Sequence, residues 1–339
     1  MVSREEVIWA YRLLLQRDPE SDKIIEEKRL LCPSVASLID GVLQSEEFRQ
    51  NRHKSTTRLG PSDLDEFVKE TDRLGPVGSR AVEDYWSGLT YEIETKVDES
   101  LSPYSEEYIA QQIAVYRELS GRDVDQQQNE LSHFNLDEHV KAANPYAHQP
   151  PHVLAVHLAR LSNVLMRSGL ELGEHVLDMG CGWGLSSELF AYSGLRVTAL
   201  DINPAFVELV GRRAELQKLP IRAVHGTFER IPDGIFDAAA YYECLHHAVK
   251  PWETLQTVSD ALRPGGKLLL AGEPINNQWR SWGLRTDILS LYCIRKHGWF
   301  ESGWSLPFLQ DCIERCGFSI RYCNDEGGAV GWVVVAEKV

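Results

Sequence analysis

Val7, Ala10, Tyr11, Leu14 and Leu15 recur at helical spacing and form one apolar face. Ser3 and Glu6 stand ahead of them at the spacing of a capping box, and Asp18-Pro19 stops the helix. A second face, made of Val35, Leu38, Ile39, Val42, Leu43 and Phe48, completes a small helical unit over residues 1–54. Residues 51–62 are polar, contain Gly60-Pro61 and read as a linker. The region 55–148 is helical but broken. Its best segment runs from Ser105 to Leu119, with Tyr108, Ile109, Ile113 and Tyr116 on one side and Gly121 to end it. Asn144 to Pro151 is loop. Leu154, Leu158, Leu161 and Leu165 then mark a helix that closes near Gly169 and opens a last domain over 149–339.

Beyond residue 170 the period changes: short apolar runs alternate with helical stretches, as in a parallel α/β sheet. Strands are predicted at 175–179, 196–200, 221–225, 236–242 and 267–271. Two more, near 317–322 and 331–336, follow without a long helix between them and predict a hairpin at one sheet edge. A helix carrying Leu255, Val258 and Leu262 is closed by Arg263-Pro-Gly-Gly266. The expected fold class is α/β, a Rossmann-like, doubly wound, seven-stranded sheet with an N-terminal helical domain.

Composition alters this picture little. At 339 residues the chain exceeds one usual core, in keeping with more than one domain. A net charge of −15 without a basic block speaks against nucleic acid as a partner. Met1 to Val7 carries acids where a signal peptide has bases, and no run approaches the ~18 apolar residues of a membrane span. A cytoplasmic protein without a transmembrane segment is expected. The seven cysteines lack a disulfide-scaffold spacing and read as reduced thiols. Cys312 and Cys316 lie one helical turn apart, but a zinc site needs four ligands, so no metal is expected.

The chemistry begins where the first sheet strand ends. In Val176-Leu-Asp-Met-Gly-Cys-Gly-Trp-Gly184, three glycines allow a sharp turn and close approach of a ligand, and a helix follows at Leu185. The spacing is Asp178-x-Gly180-x-Gly182-x-Gly184, not the G-x-G-x-x-G of dinucleotide sites. Asp201 ends the second strand about 20 residues on, where two adjacent ribose hydroxyls need acceptors. Asn203-Pro204 then caps the next helix.

The turn resembles motif I of class I S-adenosylmethionine-dependent methyltransferases. Further matches to that family lie in His225 to Asp237, in Ala238 to Ala248 and in Arg263-Pro-Gly-Gly266 followed by Leu268 to Glu273. The resemblance implies S-adenosylmethionine as cofactor, held by Asp178, Gly180, Cys181, Gly182, Gly184, Asp201, Ile202, Thr227, Phe228, Glu229 and Glu243. Trp183 is expected to pack. An acceptor hydroxyl needs a base beside the cofactor, so the catalytic candidates are His246 and His247 after the fourth strand and Glu273 after the fifth.

Residues 279–303 are dense in tryptophan and arginine, which suits stacking on sugar rings and binding anions. Asn276, Arg285 and Trp299 are the substrate candidates. This stretch resembles bacterial methyltransferases associated with polysaccharide and glycan assembly. Tyr11 to Glu20 with Leu43 to Phe48 resembles a small helical domain found beside bacterial glycosyltransferases and akin to phycobilisome linker modules. That likeness implies a protein partner or a tether, against a plain helical cap. The leading expectation is transfer of a methyl group to a hydroxyl of a sugar or glycan intermediate. The alternatives are transfer to nitrogen, carbon or a carboxylate of a small molecule, and a non-enzymatic module of the same fold.

Overall fold

A computed structural model describes residues 2–15, 17–45, 57–327 and 330–339. Phe48, the first half of the expected linker (51–56) and the expected boundary at residue 54 lie outside the described residues. Two compact units result, one from Met1–Ser62 with Lys69–Glu92, the other from Asp63–Val68 with Ile93–Val339.

In the first unit, helices α1 (Arg4–Leu15), α2 (Asp22–Leu31) and α3 (Val35–Leu43) share a core of Val7, Ala10, Tyr11, Ile25, Leu38 and Val42. The capping box forms: Ser3 N–H donates to Glu6 Oε2 at 2.6 Å and Glu6 N–H to Ser3 Oγ at 3.2 Å. The middle helix α2 escapes the hydrophobic pattern because Ile25 is its only buried residue. Within the stretch expected to be only helical, strand β1 (Thr57–Leu59) pairs in parallel with β2 (Leu89–Tyr91).

The second unit is built on a seven-stranded sheet. Strands β3 (His175–Met179), β4 (Arg196–Asp201), β5 (Ile221–His225), β6 (Phe236–Tyr242) and β7 (Leu262–Ala271) are parallel. A separate antiparallel pair, β8 (Trp282–Leu284) and β9 (Ser302–Trp304), follows. Strands β10 (Phe318–Asp325) and β11 (Trp332–Lys338) are the hairpin, and the sheet order is β10-β11-β7-β6-β3-β4-β5. Strand β11 inserts antiparallel beside β7, so β10 takes the edge. Val176, Val197, Ala199, Ala240, Leu269, Val333 and Val335 fill the core. Among the described residues no helix is long and apolar enough to cross a membrane.

One boundary needs correction. Leu262 ends no helix; it pairs with Phe236 as the first residue of β7, and the register slips before Ala238 meets Lys267. Arg263 to Gly266 is therefore an excursion inside the strand. The helix before it stops at Ala261. In this architecture the chain order reverses between β3 and β4 on one side and β6 on the other, which opens a crevice at the carboxyl ends of those strands.

Candidate active site

The turn after β3 is built around two acids. Asp178 is fully buried; its Oδ2 accepts from the hydroxyls of Ser186 and Ser187, while Oδ1 has no partner among the described residues. Burial pushes its pKa up to about 6, against the pull of the two serines. Asp201 accepts from Gly182 N–H at 2.8 Å and from Asn203 N–H at 2.8 Å, which ties the end of β4 to the glycine turn. Burial raises its pKa to about 6 as well, with the two backbone donors opposing.

The glycines do different work. Gly182 has φ +47°, and a Cβ there would meet no protein atom within 4 Å. Gly184 has φ +87°, and its Cβ would press on Val210 Cγ2 at 2.8 Å. The first leaves space for a ligand; the second lets the following helix pack closely.

A cavity of about 820 Å³ opens over this turn. Gly180, Cys181, Gly182, Asp201, Ile202, Thr227, Phe228, Glu229, Glu243, His247 and Trp299 all line it. Asp178 and Gly184 act from behind the turn. Glu243 stands at φ +50°, a strained position for a side chain. Burial alone would raise its pKa, but His157 and Arg160 outweigh this and hold it low, Arg160 by a hydrogen bond and His157 Nδ1 from 3.4 Å.

Of the three candidate bases only His247 reaches the cavity. Glu273 is buried away from it and is not at a sheet edge, since β7 lies inside the sheet. Its Oε1 accepts the backbone N–H groups of Cys244 and Leu245 at 3.0 Å, and its Oε2 accepts both His246 N–H and His246 Nδ1. Three consecutive amides leaving β6 need acceptors, and Glu273 supplies them.

His246 lies between carboxylates, with Nδ1 2.9 Å from Glu273 and Nε2 3.4 Å from Glu301. Burial opposes its charge, but the two carboxylates prevail and lift its pKa to about 10. Its place between the two carboxylates makes it a structural group. His247 Nδ1 faces Glu130 Oε2 at 3.3 Å, off the line of a hydrogen bond. Burial, and His246 beside it, lower its pKa, but Glu130 and Glu301 together outweigh them, so the net shift is upward.

The substrate candidates divide similarly. Trp299 lines the cavity, edge-on to His247 at 6.0 Å between ring centres. Arg285 and Asn276 do not. Arg285 is spent on Asp287 at 2.9 Å and Glu301 at 3.6 Å. Asn276 N–H donates to Trp304 O and its Oδ1 accepts from Gln278 N–H, both beside the β8–β9 pair. Trp282 and Trp304 of that pair are buried, so most of this aromatic stretch packs a core.

Val124, Gln126, Glu130 and Tyr146 line the cavity from outside every sequence motif, and Trp183 and Tyr242 line it from within motifs that do not single them out as binding groups. Trp183 both packs, against Phe134, His139 and Phe206, and lines the cavity. Gln126 Nε2 donates to His247 O at 2.5 Å, and Glu130 Oε1 accepts from Phe300 N–H at 3.1 Å.

Residues 177–270 match the model of a family described as a methyltransferase domain. A ubiquinone biosynthesis O-methyltransferase of Coxiella burnetii is 32% identical over 112 residues, covering 32% of this chain and 47% of that protein. One from Xanthomonas campestris pv. campestris is 36% identical over 122 residues, covering 34% of this chain and 50% of that protein. The chain thus spans about half the length of the curated relatives it matches. A solved S-adenosylmethionine-dependent methyltransferase from Aquifex aeolicus is similar at 17% identity and TM-score 0.44, covering 61% of this chain and all of that one.

The residues present fit the cofactor of such a domain. The Gly182 cradle opens into the cavity, and the orphaned Oδ1 of Asp178 lies behind it. Asp201 stands at the end of β4, where a diol would be held.

Proposed function

We propose, from the premise that this chain carries a class I S-adenosylmethionine-dependent methyltransferase domain, that it is an O-methyltransferase acting on a small hydroxyl compound. One observation carries the reading: a single cavity is lined both by the glycine turn with Asp201 and by the imidazole of His247. When bound, S-adenosylmethionine supplies an electrophilic methyl carbon, lost to the acceptor as the sulfur–carbon bond breaks. Gly180 to Gly182, Asp201, Ile202, Thr227, Phe228 and Glu229 would hold the cofactor, and Asp178 would brace the turn. His247 takes the hydroxyl proton at Nε2, the ring nitrogen away from Glu130. The aromatic rings of Tyr146, Tyr242 and Trp299 orient the acceptor and keep water out.

Within this reading the acceptor hydroxyl belongs to a sugar, a glycan intermediate or a phenol. The glycan choice rests on stacking at Trp299 and on the resemblance of the helical unit, since Arg285 and Asn276 stand away from the cavity. The names of the curated relatives favour oxygen as the acceptor atom.

Transfer of labelled methyl from S-adenosylmethionine to a panel of phenols, methyl glycosides and primary amines tests the proposal. A hydroxyl acceptor is expected, and His247→Gln should lower its turnover by roughly a hundredfold while S-adenosylhomocysteine still binds. Labelling of amines alone, with full activity in the His247→Gln protein, would overturn it.

A further inference from the structure

We propose that Glu130, supplied by the polar segment ahead of the catalytic sheet, is the positioning residue of the active-site base: it faces Nδ1 of His247 and so turns Nε2 to the acceptor. The inference rests on the reading of His247 as base and extends it to a residue outside the family match at 177–270.

The segment has little apolar burial of its own, and its fixed points are polar. Helix Gln126–Asn129 is capped by Asp125, whose side chain accepts from Gln128 N–H. Gln126 Nε2 holds the carbonyl of His247 at 2.5 Å. Asn129 Nδ2 donates to Tyr116 O–H at 2.9 Å and to Asp123 O at 3.2 Å. Glu130 follows at once. Its Oε1 is anchored by Phe300 N–H at 3.1 Å, which leaves Oε2 at ion-pair distance from His247 Nδ1, 3.3 Å away. Both side chains are mostly covered, at 12% and 20% exposure, so the interaction is weakly screened.

The charged groups around the ring have distinct effects. Glu130 and Glu301 favour a charged His247, and His246 opposes it. Asp201 is also within electrostatic reach, from the end of β4. Glu301 is already shared by His246 and Arg285, and Glu273 by three amides and His246. Glu130 is the carboxylate at ion-pair distance from His247.

Two consequences follow for proton transfer. An anion beside Nδ1 favours the tautomer with its proton there, which leaves the lone pair on Nε2. As Nε2 takes the hydroxyl proton, the imidazolium that forms is stabilised by the same carboxylate. A base of this kind works only when neutral. Because its folded pKa is raised, turnover climbs with pH through a value above that of a free imidazole.

The test is an NMR titration of the His247 ring in the full chain with S-adenosylhomocysteine bound, assigned by comparison with the His247→Gln protein. Glu130→Gln should lower the His247 titration midpoint by about one pH unit or more and move the acid limb of the pH–rate profile the same way. Glu130→Asp, which keeps the charge, should hold the midpoint near the parent value. A purely structural Glu130 predicts an unmoved midpoint in a folded Glu130→Gln protein, and that result overturns the proposal. If Glu130→Gln fails to fold, a His247 midpoint in the parent protein no higher than that of a free imidazole overturns it equally. The titration needs no acceptor: a shifted midpoint beside full activity in His247→Gln would reject the base and keep the coupling.

Discussion

At the scale of single residues, the glycines of the turn separate binding from folding. Gly182 and Gly184 both have positive φ, so each substitution carries some backbone strain, about 1–2 kcal/mol. They differ in what the new methyl group meets. In Gly182→Ala the methyl enters the cavity where the cofactor would lie, so S-adenosylhomocysteine affinity should fall roughly tenfold or more, with a modest change in melting temperature. In Gly184→Ala it drives into Val210, and the loss should appear as about 2 kcal/mol or more of stability. Calorimetry and urea denaturation of the two variants, run side by side, check the split. Equal effects on both measurements would mean that the turn has a single role.

At the scale of elements, the chain ahead of the sheet is fastened to it by one buried guanidinium. Arg213, on helix Pro204–Gln217, meets Glu188 at 2.5 Å, and both are nearly inaccessible to solvent. The same guanidinium donates to the carbonyls of His139 and Ala142, at the end of helix Leu136–Lys141. It therefore adds to the closure of a helix terminus where Ala142 N–H already donates to His139 O at 3.3 Å. Arg213→Ala would strand Glu188 as an uncompensated buried carboxylate and free those carbonyls. The expected cost is about 3–5 kcal/mol, read as a lower urea midpoint. Glu188→Gln together with Arg213→Met should recover part of it, since neither charge is then left alone.

At the scale of the molecule, every residue lining the cavity comes from position 124 or later, all within one compact unit. Removal of residues 1–45 should therefore leave S-adenosylhomocysteine affinity within about twofold of the full chain. A larger loss would tie the helical unit to the site. The three-helix core of α1 to α3 keeps Trp9, Leu13, Leu30 and Leu31 exposed, so this unit ends with apolar surface that its own packing does not use.

The sequence by itself determined what local chemistry dictates. A three-glycine turn cannot form elsewhere at such low cost, alternating runs of strand length must pair in a sheet, and Ser3 with Glu6 closes its own helix. The β3 turn, the carboxylate that ends β4, the terminal hairpin and the sheet that begins after residue 170 were legible for that reason. Tertiary structure decided which polar groups face the cavity, because that depends on neighbours far apart in the chain. Glu273 and Arg285 read as active groups, yet amides and carboxylates brought in by folding consume them. Glu130, in a run of glutamines that looks merely solvated, gains its place only when the 122–134 segment lies against the loop after β6. A carboxylate's role is set by the charges around it, and those neighbours are assembled by the fold.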